Sequence, residues 1–173
     1  MAQAQLPYRP NVGIALFNAA GLVFAGMALN EGPEAVSPGF EWQMPQGGID
    51  PNEDIEVAAR RELFEETGIE DVLFLGATDE WWDYDFPPYS GPAHALSAYR
   101  GQTQRWVAFR FAGDEAKINV TEPLSGLRPE FSAWAWTPLG RLPGMVMPHK
   151  RPTYRKVAEA FRRFSQAEAS CVP

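Results

Sequence analysis

The chain has 173 residues and a net charge of −7, with 45% hydrophobic and 13% aromatic residues. The length suits one domain, 1–173 with its core at about 8–165, and the composition excludes a disordered chain. The acidic balance disfavours a surface that coats nucleic acid, which needs Lys and Arg at the phosphates, but leaves room for a local basic pocket that takes one nucleic-acid end.

No apolar run approaches the roughly 20 residues that span a bilayer, so no membrane association is expected. The opening MAQAQLPYRP lacks the charged and apolar regions of a signal peptide. The single cysteine, Cys171, has no internal disulfide partner, which fits a reducing compartment. The expected location is the cytoplasm.

Residues 11–17 (NVGIALF) and 22–28 (LVFAGMA) read as two strands around the turn signal Asn18-Ala19-Ala20-Gly21, an opening hairpin. Residues 29–41, with Gly32, Pro33, Pro38 and Gly39, read as a loop. Trp42 to Met44 form a short strand that Pro45 ends, and Gly47-Gly48 are read as a tight turn toward a helix. Asp50-Pro51 offers that helix its start and Gly68 its left-handed stop. Ile55, Ala58, Ala59 and Leu63 supply the helical spacing. Strands follow at 72–77 and 80–86, a loop at 87–101, a strand at 104–111 and a polar loop at 112–129. A strand over 130–136 is expected to put Phe131 on one face and Trp134 and Trp136 on the other. From Pro148 the chain reads as an amphipathic helix rich in Lys and Arg, with frayed last residues.

The chemistry concentrates on the first helix. Glu62, Glu65 and Glu66 stand at i, i+3 and i+4 and so share one face. As structure alone this is unfavourable: Glu62 and Glu66 repel, and Glu65 and Glu66 sit where the helix dipole favours cations. Arg61 can pair with Glu65 but does not neutralise the cluster. A hard divalent cation does, and carboxylate oxygens are what Mg²⁺ or Mn²⁺ prefers.

Gly47, Glu53, Arg61-Glu62-Leu63, Glu65-Glu66 and Gly68-Ile69 together resemble the complete box of the Nudix hydrolases. The resemblance implies an α/β fold, a mixed β-sheet sandwiched between helices (α/β/α), and metal-dependent hydrolysis of a nucleoside diphosphate linked to another group. YRPNVG at the start, then WQMPQGG, YDFPP, GQTQRW and Pro129-Glu130-Phe131, are similar to one branch. That branch comprises the bacterial RNA pyrophosphohydrolases and the related diadenosine tetraphosphate hydrolases, and the likeness runs from about residue 8 to about 156.

By that resemblance Glu62, Glu65, Glu66 and Glu130 bind more than one Mg²⁺ or Mn²⁺ ion, and no organic cofactor is implied. Glu62, Glu66 and Glu130 are each candidates for the general base, and Arg61 orients the cluster. Glu53 steadies the junction of loop and helix. Arg9 and Arg105 are expected on the non-bridging phosphate oxygens, Gln46, Gly47 and Gln104 beside the substrate, and Tyr84 and His149 stacked on a base. Read without the resemblance, Arg9 is a surface charge, Tyr84 a core aromatic, and His149 an exposed residue at a helix start. Two departures stand out. Met27, Ala28, Leu29 and Asn30 occupy positions where many relatives carry arginines, and His149 replaces a phenylalanine.

The leading expectation is release of pyrophosphate from the 5′ end of triphosphorylated RNA, with overlapping activity on dinucleoside polyphosphates. The basic stretch at 150–163 favours RNA, and the YDFPP segment and net acidity favour the dinucleotide. Dinucleotide hydrolysis without an RNA role, a non-catalytic nucleotide sensor and a hydrolase of free or oxidised nucleoside triphosphates are the alternatives. The sensor would be expected to have lost part of the Glu cluster.

Overall fold

The computed structural model describes residues 5–167. Cys171 and the end of the C-terminal segment therefore lie outside the described residues. Two long strands run side by side at the centre, β1 (Tyr8–Phe17) and β7 (Gly101–Phe111), paired in parallel from Tyr8–Gly101 to Phe17–Arg110. Parallel neighbours need a long crossover, and here the chain between them supplies most of the remaining elements. β2 (Val23–Ala28) returns antiparallel to β1 after a turn closed by Asn18 and Gly21, as the hairpin reading expects. β3 (Trp42–Gln43) extends the sheet beyond β2. β5 (Val72–Ala77) and β6 (Trp82–Asp85) both pair with β7. β8 (Phe131–Thr137) pairs with β2.

The two helices cover opposite faces, because both central strands alternate between two apolar sets. Val12, Ile14, Leu16, Val107 and Phe109 face α1 (Ile55–Thr67), which returns Ala58, Ala59 and Leu63. Ala15, Phe17, Trp106 and Ala108 face α2 (Arg151–Ala160), which returns Tyr154 and Val157. Burial on both sides is why residues 12–17 of β1 and 106–109 of β7 read as continuous apolar runs. The result is a mixed sheet between helices. Among the described residues no helix is long and apolar enough to cross a membrane.

One strand departs from expectation. Phe131, Trp134 and Trp136 all pack on the α1 face around Phe24, with ring centroids 6.5, 5.5 and 6.0 Å from it. Ala28 pairs with Phe131 and Met27 with Ala133, so Ser132 is the extra residue of a bulge. One inserted residue shifts the alternation by one and returns the tryptophans to the face of Phe131.

Candidate active site

The box helix starts later than Asp50-Pro51 suggests. Asp54 is its cap, its carboxylate accepting from the Glu56 and Val57 N–H groups at 2.9 and 3.3 Å. The residues ahead of it form a turn in which the Glu53 N–H donates to the Asp50 carbonyl and Asn52 takes a positive φ. Gly68 ends the helix at φ 73°, its N–H donating to the Phe64 carbonyl at 2.8 Å.

Arg61 ties this turn, the helix and a strand together. Its Nε and one Nη donate to the two oxygens of Glu53, each at 2.8 Å, and the same Nη reaches the Gly48 carbonyl at 2.9 Å. The other Nη donates to Glu62 at 2.7 Å and stands 3.6 Å from Glu65. The fork geometry of guanidinium is what allows one residue to hold so many acceptors. Those bonds hold the Glu53 carboxyl down to about 2 and raise the guanidinium above its ordinary range. Arg61 therefore orients Glu62 more directly than Glu65.

Gly47-Gly48 do not turn. They belong to β4 (Gln46–Gly48), paired antiparallel with β1 opposite Val12 and Asn11. What they supply is space. A Cβ on Gly47 would fall 1.9 Å from Cδ of Glu62, and one on Gly48 2.4 Å from a guanidinium nitrogen of Arg9. Two groups of opposite charge thus approach the sheet over bare backbone.

They open into a cavity of about 360 Å³, whose wall includes Arg9, Gln46, Gly47, Glu62, Glu65, Glu66 and Glu130. α1 brings three of these carboxylates. Glu130 arrives at the start of β8, where its carbonyl accepts the Leu29 N–H at 2.9 Å. Glu66 is only 6% exposed and its Oε2 has no partner. Burial, then the charges of Glu130 and Glu62, push its carboxyl well above the usual range against a backbone bond from Gln46. Burial also raises Glu62, despite Arg61, and Glu130, to which the charge of Glu34 adds. Arg9 makes no hydrogen bond or ion pair among the described residues and faces this acidic wall.

Desolvated, mutually repelling carboxylates with an orphaned oxygen fit a hard divalent cation. Among the described residues no three acidic or histidine side chains already stand as a closed ligand set.

The other expected substrate contacts lie elsewhere. The Gln104 amide is fully buried, donating to Asn11 at 2.8 Å and to Gln46 at 3.0 Å, so it braces Gln46 from behind the wall. Gln102 of β7 lines the cavity, whereas Arg105 points to the side of Val107 and Phe109 and is held away from the cavity, its Nε donating to the Thr78 carbonyl at 2.8 Å. Tyr84 is buried and donates its hydroxyl to Glu34 at 2.6 Å. His149 packs on it at 5.5 Å with Nε2 buried and unpartnered, and neither ring lines the cavity. This arrangement gives Tyr84 the core role and sets His149 against it, outside the cavity lining. Of the basic segment, Lys150 reaches the cavity-lining Glu34 and Gln43, but the cations that follow it on α2 do not converge on the acidic face. α2 covers the opposite side of the sheet, and Arg155, Lys156, Arg162 and Arg163 are exposed there.

A buried group under the cavity has no local sequence signal. Lys150 lies 3.1 Å from Glu34 and donates to Gln43 at 3.1 Å, and Gln46 donates to Glu34 at 3.4 Å. Burial opposes ionisation of Glu34, but Lys150 and the Tyr84 hydroxyl outweigh it and hold the carboxyl below its ordinary range. The ends of the network lie in two loops distant in sequence, so neither residue announces the other.

The fold and the carboxylate cavity define a Nudix hydrolase, and the chain belongs to that family: residues 7–160 match the NUDIX domain. The chain is 49% identical over 161 residues to an RNA pyrophosphohydrolase of Azorhizobium caulinodans, covering 92% of this chain and 95% of that protein. It is 48% identical over 163 residues to the RNA pyrophosphohydrolase of Rhizobium meliloti, covering 93% and 97%. Among solved structures the fold is similar to an Escherichia coli dihydroneopterin triphosphate pyrophosphohydrolase, with a TM-score of 0.60 and 14% identity over 89% of this chain and 99% of that one. It is also similar to a C. elegans Ap4A hydrolase, with a TM-score of 0.54 and 17% identity over 88% and 98%.

Proposed function

We propose that this protein is a metal-dependent pyrophosphohydrolase of 5′ nucleoside polyphosphate ends, releasing pyrophosphate from triphosphorylated RNA. The observation that carries this reading is the buried carboxylate of Glu66, with its Oε2 unpartnered, set with Glu62, Glu65 and Glu130 in one cavity with Arg9. The relatives named RNA pyrophosphohydrolase, matched over nearly their whole length, support the RNA end as substrate.

The carboxylates would hold Mg²⁺ or Mn²⁺, which when bound neutralises phosphate oxygens and acidifies its water. Arg9 holds non-bridging oxygens of the polyphosphate, a role that needs an unpaired cation at the wall. Arg61, fixed by Glu53, keeps Glu62 in one rotamer as the substrate enters. One of Glu62, Glu66 and Glu130 takes the proton of the attacking water. Gln46 is held in place by Gln104 and Glu34. The cytoplasm is the compartment this reading implies.

A second reading, dinucleoside polyphosphate hydrolysis without an RNA role, is favoured by the exposed cations of α2 lying on the face away from α1. Initial rates on triphosphorylated RNA and diadenosine tetraphosphate at matched concentration with Mg²⁺ separate the two. RNA is expected to be the better substrate, and far slower turnover of RNA refutes the first reading. Glu66→Gln, isosteric and uncharged, is expected to fold and to lose about 100-fold or more in kcat with Mg²⁺. Full activity in that variant, or in wild type with excess EDTA, removes the metal–carboxylate mechanism.

A further inference from the structure

Carboxylates and Arg9 dominate the charged part of the cavity, but its wall also carries leucines. Leu29 is 49% exposed and Leu127 58% exposed, and both line the cavity, as does the half-buried Leu96. A single exposed leucine is ordinary, but a group of them beside a strongly charged cavity is not a by-product of core packing.

Each is held in place. The Leu29 N–H donates to the Glu130 carbonyl, which fixes Leu29 next to the acidic wall. Arg128, adjacent to Leu127, pairs with Glu31 at 2.7 and 3.2 Å and ties the 112–129 loop to the 29–41 loop. His94 begins the turn that carries Leu96, and its ring packs over Gly32, where a Cβ would fall 2.6 Å from Cγ. Three loops are thus clasped around one opening, each presenting an apolar side chain to it.

We propose that Leu29, Leu96 and Leu127 form the subsite for the nucleobase beside the reacting phosphates, a site that rests on the reading given above. The ligand chemistry follows from the two kinds of lining. The carboxylates with bound metal and Arg9 take a polyanion, and the leucines take a flat ring with an apolar face. A nucleoside polyphosphate end has both parts, and inorganic polyphosphate has only the first. The subsite also replaces the one expected from Tyr84 and His149, whose rings are engaged beneath the wall.

The test compares wild type, Leu29→Ser, Leu127→Ser and Leu29→Met on two probes. One is the KM for a 5′-triphosphorylated dinucleotide RNA, and the other is the Ki of inorganic tripolyphosphate as a competitor. Each serine variant is expected to raise KM about fivefold through lost apolar contact, with a smaller fall in kcat and an unmoved Ki. Leu29→Met, still apolar, is expected to bind the RNA like wild type. Serine variants with wild-type KM overturn the subsite, as does an equal weakening of tripolyphosphate, which would mark a merely structural role. A wild-type enzyme that hydrolyses no nucleoside polyphosphate fails in the control alone; that result refutes the reading of the reaction and takes the subsite with it.

Discussion

Replacing His149 with phenylalanine tests whether the ring beneath the cavity belongs to the core. In the folded chain burial, then the charge of Lys150, lower its pKa from 6.5 to about 4. Unfolded, the ring takes up its proton near 6.5, so between pH 6.5 and pH 4 the unfolded chain binds more protons and folding is opposed. The stability from keeping His149 neutral is complete above pH 6.5 and lost progressively as pH falls toward 4. At roughly 1.4 kcal/mol for each unit of separation, the loss by pH 5 is about 2 kcal/mol, or about 1 kcal/mol once solvent screening of the half-buried ring is allowed for. His149→Phe keeps a flat ring on Tyr84, removes the titration and removes the unpartnered Nε2. Thermal unfolding of both chains, followed by circular dichroism at pH 7.5 and pH 5, reads the difference. For a chain of this size about 1 kcal/mol corresponds to about 3 °C. Wild type is expected to lose that much more than the variant between the two pH values. Contributions from acids that do not face His149 are common to both chains and cancel in the comparison, and the coupling of His149 to Glu34 is part of the difference that is read. Melting temperatures that fall in parallel would refute the buried, neutral histidine.

Two further substitutions probe how the site is built. Gly47→Ala places a methyl group 1.9 Å from Cδ of Glu62 and is expected to fold at a cost of about 1–3 kcal/mol. Its kcat with Mg²⁺ should fall steeply; wild-type activity would show that Glu62 does not need the bare backbone. Lys150→Met strands the Glu34 carboxylate and is expected to cost about 3–5 kcal/mol in urea unfolding, with much of it regained in Glu34→Gln/Lys150→Met. Additive single-site costs in that cycle would deny that the two residues act as a pair.

Much of this protein was legible because it is local. The box helix, its Gly68 stop and its stripe of glutamates follow from helical spacing within one short segment, and Arg61 reaches partners on the same helix and the turn before it. Apart from β4, whose glycines read as a turn, the strands of the sheet were legible from apolar and aromatic runs bounded by Gly and Pro. Even within the box the choice between Asp50 and Asp54 as cap was not, since both are residue types that cap and only the closed turn between them decides.

What the sequence alone determined is the chemistry: carboxylates against a helix dipole, in a pattern that metal relieves. What only the tertiary structure decided is which side chains reach that chemistry. The bulge at Ser132 turned two tryptophans to the α1 face, the Thr78 carbonyl held Arg105 away from the cavity, and Glu34 claimed both Tyr84 and Lys150. The physical reason is the same in each case. A side chain's direction in a strand depends on pairing register, and a buried charge depends on a partner from a distant loop, and neither is encoded in the residues beside it.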